Sequence, residues 1–174
     1  TQSETLLTEQ ERTFLLQLAR DVISTSARGE QPKSPDYFSE KLSNKLGVFV
    51  TLHKLGELRG CIGYVEGIRP LQDAVIEMAQ SAAFNDPRFA PVSEEEIEDD
   101  EIPEHDLAIR QFGKLTNIFG KKAQKKLPNL IPVKTTQDHN HSYRFSFRDP
   151  ESHLIDIHVI ILPSVRDVYD AEVK

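Results

Sequence analysis

Residues 47–65 read GVFVTLHKLGELRGCIGYV. Two runs rich in β-branched and aromatic residues flank Leu55-Gly56, and that arrangement predicts a β-hairpin. The second run holds Cys61, the single cysteine of the chain, with Gly60 beside it and Gly63 two residues on. Glycine inside a strand serves where backbone, ligand or partner approaches too closely to admit a Cβ. Alternation along the strand places Arg59 and Cys61 on one face and Leu58 and Ile62 on the other, with Gly60 leaving a gap on that second face. A guanidinium beside the thiol would favour thiolate and make Cys61 a nucleophile or a soft ligand. The bland alternative is a buried structural cysteine, since free Cys is among the most buried residue types. The position of His53 depends on the turn. A three-residue loop with a bulge puts it on the Arg59 and Cys61 face, and a two-residue turn puts it on the opposite one.

Helices flank the hairpin in sequence. Thr8 and Glu11 have capping-box spacing ahead of Phe14, Leu15, Leu18, Val22 and Ile23, which predicts an amphipathic helix ending near Gly29. The stretch GEQPKSPDYF that follows carries two prolines and reads as loop. After Gly67, apolar residues at 71, 74, 75, 78, 79, 82 and 83 specify the buried face of a second helix, with Pro70 at its start and Asn85-Asp86-Pro87 as its stop. SEEEIEDDEIPE reads as a solvated helix or linker. Further on, SYRFSFRD alternates as a half-buried strand, and HLIDIHVIILP reads as a more buried strand ended by Pro163. GKKAQKKLPNLIPVKTTQDHNH, before them, reads as loop with one short helix.

The totals bound the function. With 174 residues, 38% apolar and 28% charged, the chain fits one ordinary globular domain. The formal charge of -7 is uneven: residues 1–103 carry 10 basic against 19 acidic side chains, and residues 104–174 carry 11 against 9. Nonspecific duplex binding is disfavoured by that balance. A single cysteine excludes an internal disulfide and a multi-thiolate zinc site, and points to a reducing cytosol. No apolar run approaches the ~18–20 residues of a membrane span, and TQSETLLTEQER lacks the features of a signal peptide.

Other constellations carry less. In NDPRF, Asp86 and Arg88 flank a rigid proline and either hold an anionic group or close a turn. Asp138, His139 and His141 lack a third well-placed ligand, so no metal is expected. Lys121, Lys122, Lys125 and Lys126 form a basic face if that turn is helical; without interleaved aromatics it reads as solvated rather than as an RNA platform. Dinucleotide, Walker, HExxH and GxSxG motifs are absent.

Three stretches, LTEQERTFLLQLAR, GVFVTLHKLGELRGCIG and RPLQDAVIEMAQSAAFNDPRFAPVSEEE, together resemble the AMMECR domain family, that of the AmmeMemoRadiSam system A proteins, from about Leu7 to Ile97. The resemblance implies a single domain of α/β (α+β) class, with two subdomains around a mostly antiparallel sheet, flanking helices, and the LRGCIG strand lining a cleft. It implies the company of a Memo-like protein and a radical SAM protein. It marks residues 58–63 and 86–89 as signature. Residues 104–174 diverge from the family pattern: HDLAIR at 105–110 precedes IDIHVIILPSVRDV at 155–168, an exchanged order. The resulting expectation is a cytoplasmic enzyme or enzyme subunit. In it, Cys61 is nucleophile or redox group, Arg59 polarises it, Arg88 and Asp86 orient an anionic substrate group, and Gly60, Gly63 and His53 line the site. The alternative is a binding module that docks a Memo-like or radical SAM partner, or a weak RNA binder. Neither reading specifies a cofactor.

Overall fold

The structure, a computed structural model, describes residues 7–98, 130–132, 143–150 and 153–163. Helix α1 spans Glu9–Ala27. Thr8 and Glu11 close the expected capping box, and the helix ends before Gly29, whose φ of 74° an L side chain would resist. The loop from Glu30 runs back along α1 and stacks Tyr37 on Phe14 with ring centroids 4.7 Å apart.

Strands β1 (Gly47–Lys54) and β2 (Glu57–Tyr64) form the hairpin. Its turn has two residues, Leu55 at φ 52° and Gly56 at φ 83°, the positive pair that a type I′ turn requires. A bulge follows. Leu52 pairs with Gly60 while His53 pairs with Leu58, so Arg59 is an extra residue in the ladder. Helix α2 (Leu71–Phe84) buries all seven of its expected apolar positions. A short α3 (Glu94–Glu98) buries Ile97. Strands β3 (Leu130–Pro132), β4 (Tyr143–Arg148) and β5 (Ile155–Leu162) complete a five-stranded sheet in the order β2-β1-β5-β4-β3, with every neighbouring pair antiparallel.

The fold is therefore α+β, an antiparallel sheet with helices packed on one face. Val48, Val50 and Leu52 of β1 and Ile155, Ile157, Val159 and Ile161 of β5 point into one core with Leu15, Ala19 and Ile23 of α1 and Val75, Met78 and Ala79 of α2. β5 is buried on one face only: Asp156, His158, Ile160 and Leu162 alternate with the core residues and are half-buried. β5 is still the more buried of the two strands, as expected for HLIDIHVIILP: none of its residues is exposed, whereas Arg148 of β4 is. A second subdomain would draw on residues 99–142, almost all of which lie outside the described residues.

Candidate functional site

Cys61 lies on the sheet face turned away from the helices. Its Sγ is 3.1 Å from Oγ1 of Thr51, its register partner, and Thr51 is only 6% exposed. The Cys61 backbone N–H is donated to Asp86, away from β1. Thr51 and Cys61 therefore form a non-hydrogen-bonded pair, the kind that brings side chains closest. The opposite edge of Thr51 meets His158 of β5, and His158 meets Arg148 of β4. One row across four strands thus reads Cys61, Thr51, His158, Arg148. In the next row His53 lies opposite Asp156 on β5 and Leu58 on β2. A thiol, a hydroxyl, two imidazoles, a carboxylate and a guanidinium share this face.

The bulge redirects Arg59. Strict alternation would put its side chain beside Cys61, but the extra residue turns it toward the segment after α2. Its Nε and Nη2 donate to Glu96 at 3.1 and 3.0 Å, and its Nη1 donates to the Ala90 carbonyl at 2.7 Å. Lys54 Nζ meets the same carboxylate at 2.8 Å. Burial pushes the Glu96 carboxyl up, yet the hydrogen bonds from Arg59, Lys54 and the Ser93 N–H outweigh it and hold the group at about 2. Arg59 is thus a strut between hairpin and α3. The same bulge moves Leu58 to the Cys61 face, away from Ile62, and leaves it 40% exposed.

Asp86 and Arg88 close the free edge of β2. The buried Asp86 carboxylate accepts the Cys61 N–H at 2.9 Å and a two-point fork from Arg88, Nε at 3.0 Å and Nη2 at 2.7 Å. Arg88 Nη2 also donates to the Cys61 carbonyl at 3.2 Å. The pair satisfies both outward backbone groups of Cys61, as a neighbouring strand would. The Arg88 fork, reinforced by the Cys61 and Arg88 N–H groups, holds the Asp86 carboxyl well below the usual carboxylate range despite its burial. Arg88 lies over the Phe89 ring and stays 54% exposed along its side chain.

The glycines answer to internal packing. A Cβ on Gly60 would lie 2.1 Å from the Ala82 carbonyl oxygen at the end of α2, and one on Gly63 would lie 2.3 Å from the Val48 oxygen and 2.4 Å from the Phe49 ring. The structure therefore gathers Cys61, Asp86, Arg88 and Gly60 into one unit, sets His53 one row away on the Cys61 face, and takes Arg59 out of the thiol's surroundings. Thr51, Asp156, His158 and Arg148 were missed. The signal for Asp156 and His158 was there, as two polar residues at period two inside an apolar run. Asp138, His139, His141 and the lysines of 121–126 lie outside the described residues. Among the described residues no group of three or more His, Cys, Asp or Glu side chains is placed to hold a metal. Cavities of about 470 and 680 Å³ lie along α1, one under Leu18 and Val22 and one beside Thr13 and Tyr37, and neither includes Cys61.

The AMMECR1 family model matches residues 16–103, half of the chain. The chain belongs to the AMMECR1 family. A protein of Methanothermobacter thermautotrophicus is 46% identical over 97 residues, covering 55% of this chain and 50% of that protein. One from Methanopyrus kandleri is 47% identical over 91 residues, covering 49% of this chain and 42% of the relative. A solved structure of an uncharacterized protein from Pyrococcus horikoshii is 38% identical, with a TM-score of 0.49, covering 52% of this chain and 48% of that one. The chain spans about half the length of the relatives it matches. Within this AMMECR1-family chain, the matched segment contains Thr51, Cys61 and the Asp86–Arg88 clamp, while His158 and Arg148 lie beyond it. No helix among the described residues is long and apolar enough to cross a membrane.

Proposed function

We propose that this AMMECR1-family chain is an enzyme, or the subunit of one, whose chemistry runs on the sheet face opposite α1 and α2 with the Cys61 thiol as nucleophile. The observation that carries the reading is the thiol's fixation: Sγ is held at 3.1 Å by the Thr51 hydroxyl while Asp86 and Arg88 pin the backbone of the same residue. A nucleophile locked on a rigid element by packed neighbours is what pre-organised attack needs. Arg88 is the residue suited to meet an anionic group of the substrate, because the clamp uses Nε and Nη2 and leaves Nη1 on a half-exposed side chain. Arg59 has no part in activating the thiol, its charge being matched by Glu96.

The test is the rate of Cys61 alkylation by iodoacetamide against pH, in folded and in urea-unfolded protein. Sulfur displaces iodide from the reagent and the thiol proton is lost to a base, so the rate reports both access and the supply of thiolate. Folded protein is expected to react at neutral pH at least as fast as the unfolded chain, and Cys61→Ser to abolish the modification. Protection until unfolding would make Cys61 a core residue. The alternative would then lead: a binding module for a Memo-like or radical SAM partner, docking along the β2 edge where Leu58, Val65 and Ile68 are exposed.

A further inference from the structure

β2 is an outermost strand of the sheet, so every second residue along it turns its backbone N–H and C=O away from β1. The Cys61 N–H, donated to Asp86, fixes which residues those are: Cys61 itself and, two along, Gly63, whose register partner is Phe49. At Cys61 the Asp86–Arg88 clamp occupies both outward groups. At Gly63 no hydrogen bond reaches either of them among the described residues. The Phe49 ring packs against the face of Gly63, at right angles to that edge. An extended chain laid along β2 can therefore bond to Gly63 but must stop before Cys61, where Asp86 and Arg88 already stand. The two positions are roughly 7 Å apart, which admits one peptide residue beyond the one opposite Gly63.

A chain that has to end there ends beside a guanidinium. The clamp leaves Arg88 Nη1 unused, on a side chain that is 54% exposed. A cation at the stop selects a C-terminal carboxylate over an N-terminal ammonium, and so sets the direction of the chain as antiparallel to β2. We infer that the β2 edge at Gly63 binds the C-terminal tail of a polypeptide as an added antiparallel strand, with its terminal carboxylate on Arg88. The penultimate residue exchanges both N–H···O bonds with Gly63, the last residue lies opposite Ile62, and its carboxylate accepts from the guanidinium. Upstream residues run past Gly63, where Val65 and Ile68 are 50% and 56% exposed and offer apolar surface. This occupant rests on the proposed role of Arg88 toward an anionic group and gives that group a chemical class. It asks nothing of the Cys61 thiol, so the two readings fail separately.

The experiment follows the Gly63 amide of the 15N-labelled 174-residue chain by NMR during titration with hexapeptide pools randomised at every position. One pool has a free C-terminal carboxylate, one a C-terminal amide, and one a free carboxylate with the penultimate nitrogen methylated; acetate alone is the fourth probe. The free-carboxylate pool is expected to shift the Gly63 amide. The amide pool should bind about 10–100-fold more weakly, the value of a hydrogen bond to a charged group, and the methylated pool about 5–10-fold more weakly, that of a neutral one. Arg88→Gln should weaken the free-carboxylate pool to the level of the amide pool; because that substitution also loosens the clamp, the comparison of pools on wild type decides by itself. A Gly63 amide unmoved by any pool, or equal binding of acid and amide, would overturn the inference. Acetate binding as tightly as the peptides would do so too, leaving an anion site without strand addition. Cys61 alkylation by iodoacetamide, run alongside, separates the readings: a thiol protected until unfolding removes the nucleophile and leaves the peptide edge standing, and a reactive thiol beside an unmoved Gly63 does the reverse.

Discussion

Asp86 shows how a motif residue can act on the backbone of its neighbours, here by holding the Cys61 N–H and the Arg88 guanidinium. Sequence offered two roles for the NDPRF turn, anion binding or turn closure, and the structure adds a third, a substitute strand for the edge of β2. Its carboxylate accepts two hydrogen bonds from the Arg88 guanidinium and one each from the Cys61 and Arg88 backbone N–H groups, so Asp86→Ala removes hydrogen bonds to a charged group, each worth about 1.5–3 kcal/mol, and leaves both N–H groups without that partner. The expected loss at neutral pH is about 2–4 kcal/mol by urea unfolding, moderated because the orphaned Arg88 is half-exposed and can be solvated. The sign of the pH dependence follows from the direction of the shift. A carboxyl held below its unfolded value stabilises fully above ~4 and loses that contribution as pH falls through the folded value. Glu96, lowered from 4.5 to about 2, behaves in the same sense over that window. The gap between wild type and Asp86→Ala should therefore narrow steadily below pH 4. A gap unchanged down to pH 2 would show that the ionised clamp is not what stabilises the edge.

At the level of elements, what sequence could and could not show divides along local and non-local signals. α1 and α2 were legible because the capping box of α1, the proline stop of α2 and 3.6-residue periodicity are each written within a few residues. The bulge at Arg59 was not. Period-two counting assumes an unbroken ladder, and one inserted residue reverses the assignment of every side chain before it, which is why Leu58 and Arg59 changed faces. The acidic segment is, as expected, helical over Glu94–Glu98 with Glu94, Glu95 and Glu98 exposed, but charge density could not single out Glu96, the anchor that ties α3 to β1 and β2 through Lys54 and Arg59. Arg59→Ala should loosen residues 90–98, seen as faster hydrogen exchange at the Val92 and Ile97 amides, which bond to Ala83 and Ser93. The rate of Cys61 alkylation should stay within about twofold of wild type, well short of the 10-fold or more that loss of an activating group costs. A large fall in that rate would restore Arg59 to the site.

At the scale of the molecule, the family-matched segment and the folding unit have different boundaries. Residues 16–103 carry most of α1, the hairpin, α2, α3 and the clamp, yet the sheet is centred on β5, about 100 residues after β1 in the chain. β5 pairs with all of β1, from Gly47 with Leu162 to Lys54 with Ile155. No short-range pattern announces a partnership at that separation, so the sequence disclosed one hairpin and two later strands and not the seam that joins them. The seam also unites the candidate site, since Cys61 and Thr51 come from one side of it and His158 and Arg148 from the other. Its energetic weight can be bounded. Ile155, Ile157, Val159 and Ile161 are each at most 1% exposed, and four buried aliphatic side chains contribute about 6–12 kcal/mol, comparable to the ~5–15 kcal/mol net stability of a typical domain. A fragment ending at residue 103 would keep every family signature and lose all four, leaving Leu15, Ala19 and Ile23 of α1 without their strand. It is expected to retain helical circular dichroism but to unfold in urea without a cooperative transition, whereas the 174-residue chain shows one. A sharp transition in the fragment would mean that the matched half folds alone, and that β5 docks onto a finished core.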